Sequence, residues 1–142
     1  MKPTRPFLPT LWLASIAVVH LSTTAGAEQP SSAEHRRCIA ESGGVTVQML
    51  DCLGAELERK EAELNDLWAK MPAAIGSDAM TSVRKAQRAW IVFRDAQCEA
   101  ASALTGDGSL SAIAYSSCVL EMTEDRVSEL RRMLEPAGEA SN

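Results

Sequence analysis

The stretch Ala86-Gln87-Arg88-Ala89-Trp90-Ile91-Val92-Phe93-Arg94-Asp95-Ala96-Gln97-Cys98 decides the fold. Followed in both directions, it sets Val83, Ala86, Trp90, Phe93, Gln97, Ala100 and Leu104 three or four residues apart, one stripe along an α-helix. Trp90 and Phe93 are the expected core anchors of that stripe. Upstream, Leu50, Leu53, Leu57, Leu64, Leu67 and Met71 keep the same spacing, interrupted by one polar step at Lys60, so a helix is expected from about Val45 to Met71. Pro72 and Gly76 are its expected terminators, and Ser77 or Asp78 can cap the next helix, which runs to about Leu104. Downstream, Thr105-Gly106-Asp107-Gly108-Ser109 breaks the chain. A third helix then carries Ile113, Ser116, Leu120, Thr123, Val127, Leu130 and Leu134 on one stripe before Pro136. A shorter helical piece around Ala33–Glu41 stops at Gly43-Gly44, and no useful length alternates at period two. Amphipathic helices on short connections bury their stripes against one another. The expected fold is all-α: a small antiparallel bundle of three long helices plus a short N-terminal one.

The N-terminus reads as an export signal. Lys2 and Arg5 are followed by the apolar run Leu11 to Leu21 and by Ala25-Gly26-Ala27, small residues suited to signal-peptidase cleavage. The run is about half the ~20 residues that span a bilayer. The first cysteine is Cys38, far from the cleavage site, so a soluble rather than lipid-anchored mature chain is expected. The expected organisation is a signal peptide at 1–27, a polar disordered leader at 28–33, one helical domain at 34–135 and a disordered tail at 136–142. Cleavage removes two of fourteen basic residues and none of nineteen acidic ones, taking the net charge from −5 to −7. Such a balance argues against nucleic acid and anionic membranes, which need basic patches.

Cys38, Cys52, Cys98 and Cys118 are an even set with no Cys-x-x-Cys spacing, which in an exported chain points to two disulfides rather than zinc or thiol redox chemistry. Staples suit a core whose only aromatics after export are Trp68, Trp90, Phe93 and Tyr115. In an antiparallel bundle all four cysteines gather near one end. Cys98 and Cys118 then stand about 9 and 13 Å from the glycine turn at ~1.5 Å per residue. Cys98–Cys118 with Cys38–Cys52 is the expected pairing; Cys52–Cys98 with Cys38–Cys118 remains the alternative.

Enzyme chemistry has little to stand on. His35 is the one histidine after the signal, and it falls in the polar leader region, where solvation is expected. No His/Glu cluster has metal-ligand spacing, and Asp107 stands almost alone among carboxylates, too few for a calcium loop. Gly106-Asp107-Gly108 lacks the strand and third glycine of a dinucleotide fingerprint. No cofactor and no metal are expected. Arg94 and Asp95, with Arg126 and Glu129 on the third helix, suggest an inter-helix salt-bridge network first and a recognition surface second.

Several of these residues together carry a resemblance. Cys38 and Cys52; Leu64-Asn65 with Trp68 downstream; Ala86-Gln87-Arg88-Ala89-Trp90 with Phe93-Arg94-Asp95 and Cys98; Gly106-Asp107-Gly108-Ser109; and Cys118, Thr123, Arg126 and Glu129-Leu130 appear in an order that resembles the lysozyme inhibitor LprI-like N-terminal domain family of exported bacterial proteins. The resemblance spans Cys38 to Leu130 and marks Asn65, Gln87, Arg94, Asp95, Thr123, Arg126 and Glu129 as motif polar residues. It implies a helical, non-catalytic, periplasmic protein that binds and inhibits lysozyme. It assigns no interface. An acidic chain suits a basic lysozyme-like partner, and the turn Thr105, Gly106, Asp107, Gly108, Ser109, flanked by Leu104 and Leu110, is the expected protrusion into its cleft. A binding or immunity module for another envelope protein is the alternative.

Overall fold

The computed structural model describes residues 31–135; the signal-peptide reading, the first residues of the leader and the C-terminal tail lie outside them. Three helices follow in order: α1 (Ala33–Glu41), α2 (Thr46–Ala103) and α3 (Ser109–Leu134). The α2 helix is two arms, because Gly76 breaks it with φ 77° and ψ 170°. Residues 46–75 and 77–103 fold back on each other there, and α3 packs along both, so the packed unit is the expected antiparallel three-helix bundle with α1 appended. Pro72 does not end the first arm. It sits inside it, and the reversal happens at the one residue whose backbone conformation is open to glycine and costly for every other residue type. Gly76→Ala is accordingly expected to lower stability by about 1–3 kcal/mol in chemical denaturation, although no atom lies within 4 Å of the added methyl.

The hydrophobic centre lies at the Gly76 end, where Met71, Met80 and Leu130 are buried and Leu64, Leu67, Trp68, Ile75, Val83 and Leu134 pack around them. The α3 stripe matches its reading, with Leu120, Thr123, Val127 and Leu130 all buried. The second arm of α2 is turned relative to its reading. Its inward positions are Met80, Val83, Gln87, Trp90, Arg94, Cys98 and Ala101, while Ala86, Phe93, Gln97, Ala100 and Leu104 face solvent. Phe93 is 57 % exposed and Leu104 89 % exposed, so neither is a core residue, and Tyr115 is also exposed. Two cross-helix ties set this rotation: Cys98 reaches Cys118 of α3, and Gln87 accepts a hydrogen bond from Arg126.

Both expected disulfides are present, Cys38–Cys52 with Cα atoms 5.7 Å apart and Cys98–Cys118 at 5.4 Å, and no cysteine is free. The first clips α1 onto the start of α2. There Ser32, read as the end of the leader, caps α1 by accepting the His35 N–H at 3.0 Å, and Ala33 opens the helix. The Ser32 hydroxyl donates in turn to Glu56, a fully buried carboxylate that also holds Arg59. Arg59 reaches back to Glu34 at 3.0 Å. His35 is buried, not solvated: Nδ1–H donates to the Cys52 carbonyl oxygen at 3.3 Å.

Lys60 and Glu63 of the first arm meet Glu124 and Arg131 of α3. Glu124 is only 14 % exposed and one of its oxygens has no hydrogen-bond partner. Burial raises its pKa above the ordinary carboxylate range, helped by Glu121 and Asp125 and opposed by Lys60 and His35. A carboxyl whose folded pKa is raised favours folding while protonated, and that contribution is lost as pH rises through the folded value. Glu124→Gln should therefore raise the thermal midpoint at neutral pH. The gain over the parent should vanish below about pH 4, where Glu124 is itself neutral.

Candidate functional site

The turn between α2 and α3 is built on local hydrogen bonds. Leu104 N–H donates to Ala100 O (3.2 Å), Thr105 N–H to Ser102 O (3.1 Å) and Gly106 N–H to Ala103 O (3.4 Å). Gly106 and Gly108 then take φ of 78° and 115°, the left-handed backbone that lets the chain reverse in so few residues. At its base the Ser102 hydroxyl lies 2.7 Å from that of Ser111, and Cys98–Cys118 closes the same two helices one to two turns below. Every residue from Ala103 to Leu110 is exposed. Leu104 and Leu110, 89 % and 60 % exposed, flank the tip as two unburied leucines on a braced protrusion. Asp107 has no ion-pair partner among the described residues, and Ser109 belongs to the first turn of α3 rather than to the loop.

The motif polar residues gather elsewhere, around a groove of about 600 Å³ between the two arms of α2. Asn65, Gln87, Arg94 and Thr123 line it, together with Trp68, Trp90, Arg84, Arg88 and Glu61. Arg126 stands behind: Nε–H donates to Gln87 Oε1 at 2.8 Å, the guanidinium carbon lies 5.7 Å from the centre of the Trp90 ring, and a second arm holds Glu129. One terminal nitrogen of this buried Arg126 has no partner. Arg94 lies 5.2 Å from the same ring and pairs with Asp95 at 2.8 Å. The expected inter-helix network of Arg94, Asp95, Arg126 and Glu129 therefore takes a different form. Both ion pairs are between neighbours on one helix, and the link across helices is the neutral Gln87 accepting from Arg126. Thr123 is fully buried and donates to its own helix at Val119 O, 2.7 Å away. Sequence reasoning singled out neither Arg84 nor Glu56; nothing in their neighbourhoods along the chain distinguishes them from solvated charges on helix faces.

The braced turn, the two staples and the arginine–tryptophan groove all fall inside one family match. The family model described as lysozyme inhibitor LprI matches residues 38–130. The chain belongs to the lysozyme inhibitor LprI family. The LprI match begins at Cys38 and ends at Leu130, so both disulfides lie within it. The chain is also similar to an uncharacterized protein, R02472, of Rhizobium meliloti (strain 1021), 32% identical over 99 residues that make up 61% of this chain and 71% of that one. No solved structure matches. The LprI family is one of inhibitors rather than enzymes. Among the described residues no helix is long and apolar enough to cross a membrane.

Proposed function

We propose that the exported, periplasmic form of this chain binds a basic, chicken-type lysozyme and inhibits it, with the turn 104–110 covering the sugar-binding cleft. Membership of the LprI family carries the reading. Three physical features support it. The chain after signal removal holds −7, so its field accelerates encounter with a strongly basic enzyme. The turn is braced by Cys98–Cys118 and by Ser102 against Ser111, so little freedom is lost on docking. Leu104 and Leu110 supply apolar surface for the enzyme to bury, and Asp107 between them is an unpaired carboxylate for a cleft arginine.

Kinetics of binding to immobilised hen-type lysozyme test the turn. Leu104→Ala with Leu110→Ala should raise Kd at least tenfold, about 1.4 kcal/mol, mainly through faster dissociation and with helicity unchanged. Asp107→Ala should chiefly slow association. Association of the parent should slow as salt shortens the Debye length from ~10 Å at 0.1 M to ~3 Å at 1 M. Tight binding that ignores all three substitutions would move the interface off the turn, to the exposed helix face of Val92 and Phe93.

A further inference from the structure

The groove between the arms of α2 is a site in its own right, and we infer that it binds a carboxylate-bearing sugar. Its volume, about 600 Å³, is that of an ordinary small-molecule site. Its charge runs against that of the protein. In a chain of net charge −5, Arg84, Arg88 and Arg94 converge on one concavity whose single lining carboxylate is Glu61. Asp95 neutralises Arg94, but Arg84 and Arg88 have no carboxylate within 4.0 Å among the described residues. They stand four residues apart on one helix face, where like charges repel. An anion between them removes that repulsion, and a guanidinium fork matches the two oxygens of a carboxylate.

The rest of the lining selects what carries the carboxylate. Gln87 commits its amide oxygen to Arg126, so what it offers the groove is N–H donors. Asn65 and Glu61 on the opposite wall add a donor–acceptor amide and an acceptor for hydroxyls. Trp68 and Trp90, both half-buried, give flat apolar walls. Cations already lie against the Trp90 ring, which leaves Trp68 as the platform for the C–H face of a saccharide ring. Ring, hydroxyls, amide and one carboxylate together describe an acidic amino sugar. The groove is distinct from the turn: Arg94 and Leu104 are ten residues apart, ~15 Å along the helix.

Tryptophan fluorescence reads this site directly, because Trp68 and Trp90 are the only tryptophans after the signal and both line the groove. Titration of the oxidised mature protein with N-acetylmuramic acid should give saturable quenching. N-acetylglucosamine, which lacks the lactyl carboxylate, and D-lactate, which lacks the ring, should each bind at least tenfold more weakly. Arg84→Gln with Arg88→Gln, both at exposed positions, should abolish the preference for the acidic sugar while helicity stays at the parent value and lysozyme binding is not weakened. Equal responses to the two sugars, equal responses to the sugar and lactate, or no quenching into the tens of millimolar would each overturn the assignment. None of these outcomes touches the inhibitor reading, which rests on the family match and is tested at the turn.

Discussion

Truncating Leu130 to alanine should cost about 2–5 kcal/mol of unfolding free energy, whereas Phe93→Ala should stay within about 0.5 kcal/mol of the parent. Leu130 is fully buried in a cluster with Met71 and Met80, which joins both arms of α2 to α3. Removing its isopropyl group forfeits apolar burial and leaves a hole lined by three helices that cannot all close in. Phe93 is the larger side chain, yet 57 % of it is in water. The contrast tests the rotation of the second arm: had the stripe through Ala86, Phe93 and Gln97 faced the core, Phe93→Ala would cost about 3–5 kcal/mol. Urea denaturation of both variants beside the parent, with m-values compared, measures the difference. Against a typical total of about 5–15 kcal/mol, the Leu130 loss is large enough to leave part of the population unfolded.

The second large effect is expected from Cys98→Ala with Cys118→Ala. This bridge closes a 20-residue separation that contains the whole turn. In the chain-entropy model its removal costs about 3 kcal/mol. The loss has a local consequence besides the global one. With the bridge gone, the turn keeps the Ser102–Ser111 contact, the Thr105 hydroxyl bond to Ser102 O and its own backbone hydrogen bonds, so the last turns of α2 and the first of α3 should fray. Amide exchange between residues 99 and 115 should therefore accelerate more than exchange around Met71 and Met80. Lysozyme affinity should fall in the same variant even where the bundle remains folded. Uniform acceleration along all three helices would mean that the bridge supports the bundle without bracing the turn.

The bundle itself was legible because α3 and the first arm of α2 have one clean stripe each, and the reading of Leu120, Thr123, Val127 and Leu130 as inward holds. The second arm was not, for a definite reason. Ala86, Ala89, Phe93, Ala96 and Ala100 make one apolar face and Met80, Val83, Trp90, Cys98 and Ala101 a second beside it, so period alone does not choose between them. The choice is made by polar and covalent partners on α3, Arg126 for Gln87 and Cys118 for Cys98, which only the folded chain brings near. His35 was misread the same way. Charged residues surround it in sequence, but the Cys38–Cys52 clip presses its helix onto Cys52 and buries it. Pro72 signalled a stop that the arm does not need until Gly76. The groove escaped notice because Asn65 and Trp68 meet Gln87 and Trp90 only after the chain reverses at Gly76, so its cationic character is invisible in a composition that is acidic.

The central claim, that this LprI-family chain is a lysozyme inhibitor, is tested most directly by cell-wall lysis. Turbidity of a lysozyme-sensitive bacterial suspension is followed with hen-type lysozyme at fixed concentration and rising amounts of oxidised protein beginning at Glu28, whose folding is checked by its helical circular dichroism. The expected result is a lysis rate that falls to near zero as the protein passes equimolar amounts, and that recovers with Leu104→Ala and Leu110→Ala together. Full lysis at a micromolar excess of the folded, oxidised protein would contradict it.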